Sequence, residues 1–191
     1  TVDHFKSWIE WGKENKTPLD FNSTSFSHPK SGSLSLSNPD EGIRKFWVEH
    51  SKRCREIADA MGKAQNDPCI MNTWVHDGCK DVSVNHYLYR ETLKKSLDEI
   101  LTAYDREWVT VAVESKVFGI GVESYTVGSN EFYMSYAATH KGVYNLLDNG
   151  HYHPTEVVSD KIPALLPFFD KIPLHVTRGV RWDSDHVVIF D

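Results

Sequence analysis

Features typical of nucleic-acid-binding proteins and of disulfide-rich secreted domains are missing from this sequence. No cluster of Lys and Arg offsets the formal net charge of −6, and a phosphate-backbone partner would require a basic surface. The three cysteines are odd in number and lack the spacing of a secreted disulfide framework. We therefore expect reduced thiols in a cytoplasmic protein that binds no nucleic acid.

Long apolar runs are missing too. The most apolar stretch, residues 162–176, is interrupted by three prolines and two charged side chains, whereas a membrane span needs about 20 mostly apolar residues. The chain starts at Thr1 with an amphipathic helical pattern rather than a signal peptide. We expect no membrane span, and we expect the chain to be part of a longer protein.

Short apolar runs that end in polar residues recur along the chain. They predict buried strands at residues 17–22, 68–74, 109–115, 143–148 and 172–177. Segments with helical periodicity separate these runs, most clearly at residues 3–15, 40–62 and 89–104. This alternation predicts an α/β protein with parallel strands joined by helical crossovers.

The polar residues at the strand ends favour a barrel over an open doubly wound sheet. Nearly every predicted strand ends in a ligand-type side chain, and in a (β/α)8 barrel these ends converge on one mouth. An open sheet concentrates its site at one switch point, and no glycine-rich phosphate loop follows the first strand. We predict a TIM barrel with about five of its eight strands in this chain. Residues 1–191 would form a single partial catalytic domain, truncated at both ends.

Residue types that bind divalent metal ions are concentrated in the last third of the sequence. Asp148 and His151 are three residues apart, and a second pair of aspartates alternates further on. Carboxylates, with an occasional imidazole, suit hard cations such as Mn²⁺. An upstream carboxylate also ends an apolar strand, where burial would require a partner. The candidate metal ligands are Glu114, Asp148, His151, His175, Asp183 and Asp185.

Each of these candidates also has a purely structural interpretation. An Asp-Xaa-Asp segment is most often a solvated loop or a helix cap. A His-Tyr-His-Pro segment such as residues 151–154 is more often a turn with a surface histidine. His175, flanked by Leu174 and Val176, would by default be a hydrogen-bonded core histidine. The metal site is favoured because all of these residues fall at the carboxyl ends of predicted strands.

Lys116 and two aromatic stretches are candidates for a substrate pocket. Lys116 is either a surface lysine at the start of a loop or a pocket cation that neutralises charge developing on a substrate oxygen. Residues 72–78, which include Trp74, and residues 132–136 could form the apolar wall of a sugar pocket. For the second stretch, packing beneath the loops is the better interpretation.

Four long segments closely resemble L-rhamnose isomerases. They are residues 72–81 (NTWVHDGCKD), 113–133 (VESKVFGIGVESYTVGSNEFY), 150–156 (GHYHPTE) and 181–188 (RWDSDHVV). The likeness extends through essentially the whole chain, including residues 19–22 and 27–29. The resemblance implies a (β/α)8 barrel, a homotetramer and two divalent ions, usually Mn²⁺, with Zn²⁺ or Co²⁺ as alternatives.

The resemblance also implies roles for the candidate residues. A structural ion would be held by Glu114, Asp148 and His175, and a catalytic ion by His151, Asp183 and Asp185. The spacings are also similar to those of D-xylose isomerase, which makes Asp148 the candidate to bridge both ions. Lys116 matches a pocket lysine common to both families. A further aspartate ligand of the family lies on the last barrel strand, which this chain does not include.

The activity implied by this resemblance is conversion of L-rhamnose to L-rhamnulose by a metal-mediated 1,2-hydride shift. Lys116 and the metal would stabilise alkoxide charge, and a carboxylate or a metal-bound hydroxide near Asp183 or Asp185 would move the proton between the sugar oxygens. The sequence does not separate this hydride shift from an enediol route. Trp74, Lys116 and His151 would contact the sugar.

Two alternatives from other classes remain at this point. One is a metal-dependent hydrolase on the same barrel, against which the acidic charge and the lack of phosphate-holding arginines count. The other is an inactive fragment that binds sugar or metal without turnover. Release of phosphate would distinguish the first, and binding without a product would distinguish the second.

Overall fold

A parallel five-stranded sheet forms the centre of the computed structural model, which describes residues 1–79, 84–101, 104, 106–116, 125–153 and 155–176. The strand order is β1-β2-β4-β6-β7, and every neighbouring pair is parallel. These strands are β1 (Phe21–Ser23), β2 (Cys69–Trp74), β4 (Val109–Glu114), β6 (Val143–Asp148) and β7 (Leu174–His175). Two further strands, β3 (Gly78–Cys79) and β5 (Tyr125–Thr126), pair antiparallel beyond the main sheet.

Helices connect the strands of the main sheet in the described part of the chain. A 3-10 turn at Val2–Phe5 leads into the first helix. The helices are α1 (Lys6–Asn15), α2 (Glu41–Gln65), α3 (His86–Leu101), α4 (Asn130–Thr139) and α5 (Val158–Leu165). None of the helices in these ranges is both long enough and apolar enough to cross a membrane.

The two faces of the sheet have different chemistry, as β4 illustrates. Val109, Val111 and Val113 belong to the hydrophobic core shared with the helices. Because side chains alternate along a strand, Ala112 and Glu114 lie on the opposite face. Parallel pairing brings the carboxyl ends of all five strands to one edge, so polar residues from separate strands meet there.

The predicted strands and helices are confirmed, with shifts at their ends. The predicted strand 17–22 begins only at Phe21, because Lys16 adopts a left-handed backbone (φ 52°) and the N–H of Thr17 bonds back to Gly12 to close helix α1. Helix α2 begins where the sequence predicted, since the Asp40 carboxylate accepts the N–H of Ile43.

Four elements escaped the sequence analysis: the short strands β3 and β5, and the helices α4 and α5. Two-residue strands carry no periodic signal. Helix α5 contains Pro163, a residue that usually indicates a helix end. In helix α4 apolar side chains occur on all sides, so its pattern lacks a helical face.

Candidate metal centre

Four side chains from three neighbouring strand ends meet at the carboxyl edge of the sheet. Glu114 ends β4, Asp148 ends β6, and His175 ends β7 directly opposite Asp148. His151 joins them through a turn, in which its N–H bonds to the carbonyl oxygen of Asp148. We call these residues the carboxylate–histidine cluster: Glu114, Asp148, His151 and His175.

Glu114 lies at the centre of this cluster and is only 2% exposed. Its Oε1 is 3.1 Å from Nδ1 of His151 and 3.5 Å from Nδ1 of His175. Its Oε2 accepts a hydrogen bond from the side-chain amide of Asn72. Burial alone would raise the pKa of Glu114, but hydrogen bonds from His151, His175 and Asn72 hold this pKa well below its usual value.

The two carboxylate oxygens of Asp148 differ in their hydrogen bonding. Its Oδ1 accepts the N–H of Gly150 at 2.7 Å. Its Oδ2 is buried and, among the described residues, has no aligned hydrogen-bond donor, although Nδ1 of His175 is 2.8 Å away as an ion-pair partner. A buried carboxylate oxygen without a donor suits direct contact with a cation.

The two imidazoles differ in their surroundings. Nδ1 of His151 donates to the carbonyl oxygen of Ser115 at 3.1 Å, and Nε2 is 3.7 Å from Oδ2 of Asp148. A backbone acceptor on Nδ1 fixes the orientation of the ring, as second contacts of metal-binding histidines commonly do. His175 is 43% exposed, and Asp148 and then Glu114 raise the pKa of His175 to about 10.

This donor set fits a divalent cation. Ligand atoms of Glu114, Asp148 and His151 all lie within 4.8 Å of one another, and all three residues are buried. Two carboxylates and an imidazole suit Mn²⁺ and Zn²⁺. Burial alone would lower the pKa of His151, but the adjacent carboxylates Glu114 and Asp148 raise it above its ordinary value. This direction indicates excess negative charge at the cluster.

An apolar wall with a buried cation stands beside the cluster. The Nζ of Lys116 is 5.1 Å from the ring centroid of Trp74, and Lys116 itself is buried. The Trp74 ring is 6.3 Å from the ring of His151 and packs edge-on against Phe26. Lys116 is therefore not a surface lysine at the start of a loop, which was one of its two interpretations from the sequence.

A third buried carboxylate, Asp77, follows β2 and has a different role. Its Oδ1 accepts the N–H and hydroxyl of Ser35 at 2.7 and 2.5 Å, and its Oδ2 accepts those of Ser37 at 2.8 and 2.6 Å. We call this group the Asp77 anchor: Asp77, Ser35 and Ser37. It fastens the loop between β1 and α2, and the adjacent His76 bonds to Ser25 and Ser31 of the same loop.

Comparisons with known proteins show which family this chain belongs to. The family model described as L-rhamnose isomerase matches residues 1–191. This chain belongs to the L-rhamnose isomerase family. The L-rhamnose isomerases of Bacteroides thetaiotaomicron and Mannheimia succiniciproducens are 64% and 52% identical to it, each over 99% of the chain. The chain spans 45% of the length of each of these two relatives.

A solved structure supports the barrel architecture. The crystal structure of a D-tagatose 3-epimerase-like protein superimposes with a TM-score of 0.66 at 15% identity, covering 96% of this chain and 64% of the other. At this identity the likeness concerns the fold alone. The chain is an α/β protein that carries five parallel strands of a TIM barrel, as the sequence predicted.

The structure brings together most of the site residues predicted for this L-rhamnose isomerase family member. Glu114, Asp148, His151 and His175 form one cluster, with Trp74 and Lys116 beside it. Asp183 and Asp185 lie outside the described residues. The second aromatic stretch packs in the core through Tyr133 and Tyr136 of α4, as preferred from the sequence.

Sequence reasoning missed two contributors: Asn72 beside Glu114, and the Asp77 anchor. Asn72 falls within residues 72–78, which the sequence offered as a pocket wall, but nothing in the sequence connected it to Glu114, 42 residues away. The serine-rich segment 31–37 was the available signal for the anchor, since hydroxyls that alternate in sequence can converge on one buried acceptor.

Proposed function

We propose that the full-length protein containing this chain converts L-rhamnose to L-rhamnulose as a metal-dependent aldose–ketose isomerase. Membership of the family supports this reaction. The single observation that carries the proposal is the carboxylate–histidine cluster at the mouth end of three parallel strands, with Lys116 and Trp74 beside it. Residues 1–191 would be part of one barrel domain of a homotetramer.

The metal site follows from the donor atoms. Glu114, Asp148 and His175 would hold one divalent ion, and His151 would hold a second with Asp183 and Asp185. Asp148 is suited to serve both ions because its Oδ2 is close to both imidazoles. We propose Mn²⁺ as the native ion, since carboxylate-rich sites favour hard cations. When bound, such ions supply Lewis-acid polarisation of the sugar carbonyl.

The protein side chains would orient the sugar and balance its charge. Trp74 would offer an apolar ring to the carbon skeleton, and Phe26 packs edge-on against that ring. Lys116 places a positive charge within the same wall, where burial strengthens its effect on a negatively charged sugar oxygen. Asp183 or Asp185 would transfer the proton between the two sugar oxygens.

Removal and return of the metal provide the direct test. The full-length protein is stripped with a chelator and assayed for ketose formation from L-rhamnose, with and without Mn²⁺. We expect activity only after Mn²⁺ returns. Phosphate release from phosphoesters, with no ketose from L-rhamnose or related aldoses, would instead favour a barrel hydrolase. Sugar binding without turnover would indicate a non-catalytic protein.

An isotope experiment tests the hydride shift itself. A hydrogen that moves directly between C1 and C2 does not exchange with water, whereas an enediol route passes it through the solvent. Turnover in deuterium oxide should therefore leave the product carbon free of deuterium. Deuterium incorporation in proportion to turnover would replace the hydride shift with the enediol route.

A further inference from the structure

Asn72 of β2 connects two strands on the inner face of the sheet. It is only 6% exposed and lies in register with Asn22 of β1. Its Nδ2 donates to Oδ1 of Asn22 at 3.2 Å and to Oε2 of Glu114. Its own Oδ1 is buried and accepts no hydrogen bond from any residue in the described ranges. Asn72 therefore acts here as a donor.

Asn22 decides which end of the Asn72 amide faces the glutamate. An amide group carries two N–H donors on one side and an acceptor oxygen on the other. Because the oxygen of Asn22 takes one N–H, the second N–H is directed at Glu114. The reverse orientation would place the Asn72 oxygen against a buried carboxylate, where the two acceptors would repel each other.

As a consequence, the two oxygens of Glu114 have different partners. Oε2 is held by the Asn72 amide, while Oε1 faces the two imidazoles of the cluster. A carboxylate fixed in this way presents one defined oxygen to a cation and cannot rotate to offer both. Partners that orient a metal ligand typically contribute about 10–100-fold to metal affinity.

We propose that Asn72 is a positioning residue that fixes Glu114 as a one-oxygen metal ligand, with Asn22 setting the direction of its amide. This inference rests on the metal site put forward under Proposed function. Asn72 touches neither the sugar nor the ion in this scheme and acts only through Glu114.

The test replaces Asn72 with leucine, which has nearly the same shape but no donor, in the full-length protein. Mn²⁺ alone is titrated into metal-free protein in competition with a chromophoric chelator, so the readout is affinity rather than turnover. We expect Asn72→Leu to weaken Mn²⁺ binding about 10–100-fold. Asn22→Leu should weaken it less, because the Asn72 amide is still present but is no longer directed.

Asn145→Leu is the matched control. Asn145 is also a buried sheet asparagine, on β6, and neither of its side-chain polar atoms has a hydrogen-bond partner in the part of the chain that the structure describes. Its removal should leave Mn²⁺ affinity within about twofold of the parent. A comparable loss in this control would reduce the Asn72 effect to a general consequence of altering buried amides and would overturn the proposal.

The outcomes separate this inference from the proposed function. If the parent protein binds Mn²⁺ and Asn72→Leu binds it equally well, the positioning role is wrong and the metal site stands. If the parent binds no Mn²⁺, the proposed metal site itself fails. Should Asn72→Leu not fold, Asn22→Leu decides: at least threefold weaker binding supports the positioning role, and unchanged binding overturns it.

Discussion

Two buried carboxylate sites in this chain differ in how completely their oxygens are bonded. Asp77 is fully buried, and its two oxygens accept four hydrogen bonds from Ser35 and Ser37. Asp148 is just as deeply buried, yet its Oδ2 has no aligned donor among the described residues and faces two imidazoles. The first site is electrostatically complete without any ion, whereas the second is suited to one.

This difference helps to distinguish a structural carboxylate from one that binds a metal ion. Burying a charge is costly unless hydrogen bonds or an opposite charge compensate it. Around Asp77 the chain supplies all the compensation through neutral hydroxyls and backbone N–H groups, which hold a loop in place. In the carboxylate–histidine cluster the Asn72 amide and the Gly150 N–H compensate one oxygen of each carboxylate, and the other oxygens face titratable imidazoles. The predictions below test whether folding and metal binding can be disturbed separately.

The largest effect is expected for Asp77→Ala. This change leaves four donors of Ser35 and Ser37 without their buried acceptor, so we expect the free energy of unfolding to fall by about 3–5 kcal/mol. Urea denaturation measures it, with the exposed Asp67→Ala as control, which should stay within about 0.5 kcal/mol. If Asp77→Ala unfolds like the parent, the anchor is not structural.

Asp148→Asn should weaken metal binding while leaving the fold intact, the opposite of what we expect for Asp77→Ala. The amide oxygen can still accept the N–H of Gly150, so the protein should fold, but the charge facing the imidazoles is gone. We expect Mn²⁺ affinity to fall at least about 100-fold, equivalent to about 2.8 kcal/mol. Chelator competition measures this, and circular dichroism checks the fold. Retention of full affinity would remove Asp148 from the metal site.

Ser37→Ala tests the anchor with a smaller change. It removes one hydroxyl donor from Oδ2 of Asp77 while the backbone N–H of residue 37 remains bonded. Since a hydrogen bond to a charged group contributes about 1.5–3 kcal/mol, a loss in that range is expected in urea denaturation. Mn²⁺ affinity should not change; a decrease would show that the two sites are coupled.

The smallest effect is a pH dependence confined to the carboxylate–histidine cluster. The pKa of His175 is raised from 6.5 to about 10 by Asp148 and Glu114. Protonated His175 therefore stabilises the metal-free fold fully below about pH 6.5, and this contribution disappears as the pH rises towards 10. The effect is modest because His175 is partly exposed.

The measurement is urea denaturation of metal-free protein between pH 7 and pH 10. His175→Ala should flatten the decline in stability over this range, whereas Ser37→Ala should leave the slope unchanged, because no imidazole bonds to Asp77 in the described structure. An identical slope in the parent and in His175→Ala would show that another group titrates.

Much of the fold was predictable because local patterns and the barrel arrangement agree. The apolar runs at residues 68–74, 109–115 and 143–148 correspond to β2, β4 and β6 with shifts of at most one residue. Helix α2 was marked by its amphipathic pattern and by Asp40 at its start. The strands β3 and β5 could not be predicted, since two-residue pairings depend on tertiary position rather than on sequence pattern.

The site was predictable to the level of residue types at strand ends. The position of Glu114 at the end of an apolar strand indicated that it would need a partner if buried, and its convergence with Asp148 and His175 followed from parallel topology. The sequence could not show that Lys116 is buried against Trp74, because a lysine after a strand is equally compatible with solvent. Nor could it assign Asp77 to a loop 40 residues away.

The sequence by itself determined the alternation of strands and helices, the acidic character and the set of residues able to bind a metal ion. These features depend on periodicity and side-chain chemistry, which are local. Only the tertiary structure decided which buried carboxylates are fully hydrogen-bonded, which oxygen of Glu114 faces the imidazoles and how Asn72 restrains the other. Those are distances between strands and loops distant in sequence, and they are fixed only when the sheet assembles.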